Sequence, residues 1–344
     1  MKRNLLSLTL LSVCLYVWAW TSPVTVPDVG NARLRVVGQN ALNYLTDFTA
    51  SNSSCSSQTE FDTKTNKMAN AFLALQADII ALCEVEENDY VLGYLCDELN
   101  NLYGSEVYTF ITDGMSASQS QSGYMPVKAG FVYRKDKVTP KGASSSPYTS
   151  GTYKPRMRIQ AFKENATGEM FVLSMNHFKA KDSSEDAGES TRLTNVSRLL
   201  TALNKITTDP DILVLGDLNC YPGEEPLNKL IEAGYIELLL KYDSKAYSYI
   251  YKGSKGLLDH ALGNEPMSEQ VTSAKVYHIN TSGSYSYKYS DHDAYVVGLN
   301  LGTALGVDGT MMQPVARKVL RNGTLYIEMN GQVYDSMGRL VTGY

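Results

Sequence analysis

The chain has 344 residues, 43% of them hydrophobic and 19% charged, and 31 basic against 36 acidic side chains leave a formal charge of −5. That length can bury one large core, or one core with a small appendage, and the composition is that of an ordinary soluble globular protein. The acidic balance argues against a protein held on nucleic acid by a broad basic face, because such binding rests on phosphate neutralisation; a local basic rim beside a metal remains compatible with it.

The first residues read as a secretion signal over 1–19. Lys2 and Arg3 form the basic end, Leu5 to Val17 the apolar core and Val17-Trp18-Ala19 the cleavage site. The apolar run is too short for a membrane anchor and is followed by Thr-Ser-Pro rather than by basic residues. No other stretch is apolar enough to span a bilayer. The mature chain is therefore expected outside the cytoplasm, whether secreted, periplasmic or at the cell surface, and as a monomer. Loss of Lys2 and Arg3 makes it more acidic still. Cys14 leaves with the signal, and Cys55, Cys83, Cys96 and Cys220 permit one or two disulfides, with simple packing an equal reading for Cys83. No Cys-x-x-Cys pair occurs, so neither a zinc ribbon nor a redox motif is indicated.

Arg33 to Gly38 alternates as a strand and leads into Asn40 and Asn43. Met68, Phe72 and Leu75 recur at helical spacing. Asp78 to Cys83 is a continuous apolar strand ending at Glu84, and Glu86 and Glu87 beyond it read as solvent-facing charge. Leu92, Leu95, Leu99 and Leu102 mark a second helix, and Thr112 to Ser122 a polar loop. Phe131 to Arg134 and Arg158 to Phe162 are predicted strands around a Ser/Gly/Pro-rich turn region near Ser144 to Gly151. Phe171 to Met175 is a strand delivering His177; the loop Lys181 to Ser190 then precedes a helix carrying Leu193, Val196, Leu200 and Leu203. Ile212 to Leu215 delivers Asp217, Leu227 to Ile231 suits a short helix, and Leu257 to Leu262 and Ala294 to Leu301 complete the strands. Mixed strands and helices without strict alternation favour two packed sheets with helices outside. The boundaries expected are a catalytic domain over 30–301, a linker over 302–313 and a small β appendage over 314–344. In the appendage Asn330-Gly331 is a hairpin signal, since both turn positions need positive φ.

The chemistry gathers where apolar runs end. Asn40, Glu84, His177, Asp217, Asn219, Asp259, Asp291 and His292 each follow or close such a run. Acids, amides and two histidines at strand ends are what phosphate-ester hydrolysis requires. A hard metal needs oxygen ligands, the developing charge needs donors, and water needs a base. Of the remaining histidines, His278 takes a structural reading and His260 is left open.

Four motifs stand in order: Ala77-Asp-Ile-Ile-Ala-Leu-Cys-Glu84, Asn176-His177-Phe-Lys179, Gly216-Asp217-Leu-Asn219 and Ser290-Asp291-His292-Asp293, with Leu-Leu-Asp259-His260 between the last two. Over roughly Arg33 to Leu301 the chain resembles the endonuclease/exonuclease/phosphatase superfamily, and most of all its bacterial extracellular nucleases. The resemblance implies an α/β four-layer sandwich of two packed mixed β-sheets flanked by helices. It further implies a Mg²⁺ site (Ca²⁺ or Mn²⁺ being alternatives) at Glu84, Asp291 and Asn40. His292 would be the general base or acid with Asp259 orienting it, Asp217 would orient the attacking water, Asn219 would contact the phosphate or metal, and His177 would donate to the phosphate. Asn40 and Arg156 would hold substrate. Ala180 replaces the serine usual in the family's His-x-Lys-Ser-Lys pattern, which removes any hydroxyl role there. Residues 314–344 also resemble the C-terminal sorting tails of type IX secretion substrates. The leading function is an exported, divalent-metal-dependent phosphodiesterase cleaving DNA or RNA. The alternatives are a phosphatase or phosphodiesterase acting on a phospholipid head group or inositol phosphate, and a non-catalytic binding module.

Overall fold

The computed structural model describes residues 24–112, 126–147, 156–206, 211–282, 286–302 and 341, together with the backbone of 317–321, 324–329 and 332–335. The predicted leader, nearly all of the predicted linker and the expected Asn330-Gly331 turn lie outside these residues, as does most of the predicted polar loop after Thr112.

The chain opens with β1 (Leu34–Tyr44), α1 (Gln58–Ala74), β2 (Ile79–Glu86), α2 (Tyr90–Tyr103), β3 (Tyr108–Phe110) and β4 (Val127–Arg134). It continues with β5 (Val138–Ser145), β6 (Met157–Glu164), β7 (Met170–His177), α3 (Glu189–Leu203) and β8 (Ile212–Asp217). Next come α4 (Glu225–Glu232), β9 (Tyr235–Glu237), α5 (Leu238–Tyr242), the hairpin β10 (Tyr249–Tyr251) and β11 (Ser254–Gly256), and β12 (Asp259–Asn264). After α6 (Glu265–Glu269), β13 (Val271–Tyr277) and β14 (Ala294–Leu299) rejoin the beginning of the chain. Two six-stranded sheets result, in the orders β13-β14-β1-β2-β4-β3 and β5-β6-β7-β8-β12-β9. β15 (Arg317–Arg321), β16 (Thr324–Met329) and β17 (Gln332–Asp335) form a separate antiparallel three-stranded sheet.

The layering follows from strand periodicity. Along β2, Ile79, Ala81 and Cys83 enter a core shared with Leu173, Met175, Leu213, Leu215 and Ala261 of the other sheet, while Ile80, Leu82 and Val85 pack with Phe61, Phe72 and Leu95 of α1 and α2. In the second sheet Val172, Val214 and Leu262 face Val196 and Leu199 of α3. Alternate residues thus point to opposite layers, and strands buried on both faces read as continuous apolar runs. This is the expected sandwich: helices, sheet, sheet, helices. Phe162 knits the middle, its ring 6.0 Å from Phe131 across the sheets and 5.8 Å from Phe171.

Three expectations are corrected. Glu86 and Glu87 are buried rather than solvent-facing; Glu86 accepts hydrogen bonds at 2.6 Å from both the backbone and hydroxyl of Thr46 and so ties the loop after β1 to β2. Cys55, Cys83, Cys96 and Cys220 are all buried and free, each packed in an apolar cluster, so no disulfide forms among the described residues. The turn region expected from Ser144 begins later than predicted on its near side, because Gly142, Ala143, Ser144 and Ser145 still belong to β5.

Candidate active site

Strand direction brings the chemistry to one edge. β1 runs parallel to β2 and β7 parallel to β8, so Asn40, Glu84, His177 and Asp217 lie toward their C-terminal ends. β12 and β14 run antiparallel to β8 and β1, so Asp259 and the segment leading into β14 begin at that same edge. Register places His177 opposite Asp217, and Asp217 opposite Asp259. Parity does the rest: Asn40, His177, Asp217 and Asp259 keep step with Val36, Met175, Leu215 and Ala261 of the inter-sheet core. Their side chains therefore emerge between the two sheets. Glu84 departs from that alternation at φ 58°, beside a register irregularity between Leu82 and Val85 that re-aims it.

Two glycines make the convergence sterically allowed. Gly216 sits at φ 142°, and a Cβ there would stand 2.0 Å from the Asn176 carbonyl oxygen. Gly38 leaves room for the Tyr295 ring, whose hydroxyl accepts from the Gly216 N–H at 2.8 Å and so links β14 to β8 across the core. Leu42, Asn43 and Asn219 also adopt positive φ. Left-handed non-glycine residues cost about 1–3 kcal/mol each and gather where geometry is fixed for function.

At the centre, the Asn40 amide nitrogen donates to Glu84 Oε1 and Asp217 Oδ2, both at 3.0 Å. The Asn43 N–H donates to Glu84 Oε2 at 3.0 Å. His177 Nε2 stands 3.5 Å from Glu84 and 3.8 Å from Asp217. On the far side, His292 Nδ1 is 2.6 Å from Asp259 Oδ2, and its Nε2 lies 3.8 Å from Asp217. One ligand atom from each of Glu84, His177 and Asp217 lies within 4.8 Å of the others, and the same holds for Asp217, Asp259 and His292. Asp217 belongs to both groups. These six residues, counting Asn40, meet as the sequence places them.

Burial divides the protons among them. It pushes Asp217 up to about 7, with the neighbouring Asp259 charge adding to the rise against the opposing pull of His292. Burial also presses His177 down to about 4, so that its ring is neutral at neutral pH. For His292 burial is outweighed by the charges of Asp259 and Asp217, which hold the imidazole well above its ordinary value. Burial alone would raise Glu84; facing His177 and the Asn40 amide, it stays below the usual carboxylate range. Buried carboxylates clustered around one neutral amide form a donor set that suits a hard divalent cation, which would offset the charge that raises Asp217.

The other predicted residues fall outside these two groups of potential ligand atoms. Asp291 is exposed and falls outside both close groups; it borders a cavity with Lys64 and Ser290. Asn219 holds its own turn, its N–H donating to Asp217 Oδ1 at 2.9 Å and its amide to the Phe178 carbonyl at 3.2 Å. Arg156 accepts from the His177 N–H through its carbonyl at 2.7 Å and lines a cavity beside that histidine. His260 is structural: Nδ1 meets Glu237 at 3.0 Å and Nε2 meets the Cys220 carbonyl at 2.9 Å, both buried. His278 pairs with Asp293 at 2.9 Å and stacks on Tyr247. Lys179 and Lys181 are paired with Asp182 and Glu224.

Some contributors gain their contacts only through the fold. The Tyr249 ring lies 4.6 Å from that of His292, placed there by a three-residue strand. Ser290 Oγ donates to the Asn40 carbonyl at 2.7 Å and accepts from the His292 N–H at 3.2 Å, clamping β1 to the segment before β14. Lys64, on α1, donates to the Leu42 carbonyl at 2.7 Å; burial lowers it to about 8 against the opposing charges of Glu84 and Asp291.

No protein-family model matches the sequence, and no curated protein matches it significantly. Solved structures match the fold. The endonuclease/exonuclease/phosphatase protein from Bacteroides vulgatus is 14% identical with a TM-score of 0.56, over 78% of this chain and 98% of that one. A mannosyl-6-phosphatase from Bacteroides thetaiotaomicron is 13% identical with a TM-score of 0.55, over 78% and 100%. TDP2 of D. rerio, complexed with a single-strand DNA product, is 13% identical with a TM-score of 0.55, over 78% and 98%. The chain has the fold of the endonuclease/exonuclease/phosphatase proteins.

Proposed function

We propose that the protein is an exported, divalent-metal-dependent phosphodiesterase that hydrolyses nucleic acid. One observation carries the phosphoesterase reading: Asn40, Glu84, His177, Asp217 and Asp259, drawn from strands of both sheets, and His292, from the segment before β14, meet at a single edge with two overlapping groups of potential ligand atoms. Glu84 and Asp217, with Asn40 between them, would hold the cation, and Asp291 would complete its shell from the rim. The bound cation supplies Lewis-acid polarisation of a phosphoryl oxygen and compensates charge.

The protein's own groups divide the proton work. Asp217, buried and held by the Asn40 amide, would orient the attacking water. His292 is kept protonated by Asp259 and faces the same carboxylate from 3.8 Å, so it donates to phosphate oxygen as charge develops. His177, neutral and buried, adds a donor without a charge. Pairs of groups whose proton affinities are pushed apart are the usual mark of acid and base assignments. Arg156 and Lys179 border the cavity beside His177 and suit an anionic phosphate substrate, and nucleic acid is preferred on the sequence motifs.

Activity on plasmid DNA, RNA, sphingomyelin and inositol phosphates, each with Mg²⁺, Mn²⁺ and Ca²⁺, tests the reading. Metal-dependent cleavage of DNA or RNA is expected, and turnover of the lipid or inositol substrates alone would replace it. Export rests on the leader: N-terminal sequencing of extracellular protein should begin shortly after Ala19.

A further inference from the structure

Lys64 belongs to α1, in the helical layer outside the strand ends, yet only 6% of it is exposed. Its ammonium donates to two neutral oxygens, the Leu42 carbonyl and Ser54 Oγ, both at 2.7 Å, and forms no ion pair among the described residues. Desolvating an ammonium is unfavourable unless acceptors replace its water, so those two oxygens and the lysine hold one another in place. Both lead to one turn. The Leu42 carbonyl and the Asn43 N–H are the two ends of a single peptide group: one end takes the Lys64 ammonium, and the other donates to Glu84 Oε2 at 3.0 Å. Ser54 extends the grip, since its Oγ also donates to the Asn43 carbonyl at 3.1 Å. The Leu42 N–H donates to Asn40 Oδ1 at 2.9 Å, and the nitrogen of that same amide reaches Glu84 Oε1. Both carboxylate oxygens of Glu84 are therefore governed by a turn at φ 49° and 42°, a conformation that persists only where the surroundings hold it. A cation on the carbonyl polarises the peptide and strengthens its N–H as a donor.

We propose that Lys64 is a positioning residue of the candidate cation site: acting through the Leu42–Asn43 peptide, it aims the N–H that fixes Glu84 before a cation arrives. This role rests on the metal-dependent phosphoesterase reading and adds to it a residue that stands on a helix, away from the strand ends. The same ammonium repels a cation through space, and that repulsion reaches the site whether or not Glu84 is a carboxylate. Positioning, by contrast, runs only through Glu84.

The test is calorimetric titration of Mn²⁺ into the full chain, Lys64→Met, Glu84→Gln and the double variant, each checked for its melting temperature. The through-space repulsion is lost in both backgrounds and cancels in the cycle, which isolates the part carried by Glu84. Lys64→Met should cost about tenfold more affinity when Glu84 is present than in the Glu84→Gln background. Without metal, the Asn43 amide proton of the isotope-labelled chain should exchange with solvent about tenfold faster in Lys64→Met and recover in part in Lys64→Arg. The amides of Val36 to Gly38 on the same strand should keep their rates, whereas a lysine that merely stabilised the fold would protect all of them together. Ser54→Ala removes the second acceptor of the ammonium from an exposed position and should speed the Asn43 amide in the same direction; it carries the test if Lys64→Met does not fold. An unmoved Asn43 amide, or additive losses in a chain that binds Mn²⁺, overturns the assignment. If the Asn43 amide depends on Lys64 but the parent chain takes up no Mn²⁺, the metal-dependent reading falls and the positioning of Glu84 stands.

Discussion

At the scale of single residues, Asp259 is the sharpest test of the proposed chemistry. Its carboxylate binds His292 Nδ1 at 2.6 Å, and its charge is a principal cause of the raised proton affinity of that ring. Asp259→Asn should keep the fold and lower kcat by about 10²–10⁴, near or below the loss known for a triad carboxylate. If His292 acts while protonated, the alkaline limb of the pH–rate profile should also move to lower pH, since an imidazole without its carboxylate is a weaker base. An unmoved profile with near-normal turnover refutes the assignment. Glu84→Gln should behave differently, with activity partly restored by raising Mg²⁺, because it loses a ligand and not a proton-transfer group; metal titrations of kcat/KM check this. Both residues could be read from the chain because each closes an apolar run. Ser290 stands in the Ser290-Asp291-His292 motif, but its clamp on the Asn40 carbonyl could not be read, nor could the contact of Tyr249 with His292, since the partners are distant in sequence.

At the scale of elements, β12 shows how one strand serves both chemistry and cohesion. Asp259 points toward the catalytic edge, while the next residue, His260, turns to the opposite layer and joins Glu237 of β9 to the Cys220 carbonyl. Burial opposes the charge on His260, but Glu237 outweighs it and raises its proton affinity well above the ordinary value. The folded state thus binds this proton more tightly than the unfolded chain. The resulting stabilisation is complete below about pH 6.5 and is lost as pH rises through the folded value. His260→Gln should cost about 3 kcal/mol, most at low pH, as read from denaturant midpoints at pH 5.5 and 8.5. A pH-independent difference would contradict the linkage. The long elements, β2, β7, β8 and the three longest helices, were legible because their periodicity extends over many residues. β9, β10 and β11 were not: each has three residues, and their pairing is dictated by β12 and by one another. The burial of Glu86 was hidden for a related reason, since Thr46, which satisfies it, is forty residues away.

At the scale of the whole molecule, the separate β15–β17 sheet shares no strand pairing with either six-stranded sheet among the described residues. A chain ending at Gly302 should therefore retain its melting temperature within a few degrees and its full turnover; loss of either, measured by calorimetry and assay, would make the last strands part of the catalytic fold. The two-sheet architecture followed from the order of predicted elements. Its closure did not, because it depends on a long-range exchange: the sheet begun by β1 is completed only by β13 and β14, after the entire second sheet has intervened. β14 is an interior strand, hydrogen-bonded to β1 along Leu34 to Gly38. This sets an order on biosynthesis. A nascent chain has one side of β1 without its native neighbour until residue 299 has emerged, and His292 reaches Asp259 only with that same segment. The candidate site is thus completed only with β14 and the segment leading into it, so an interrupted polypeptide lacking β14 holds an exposed strand edge and an Asp259 without His292.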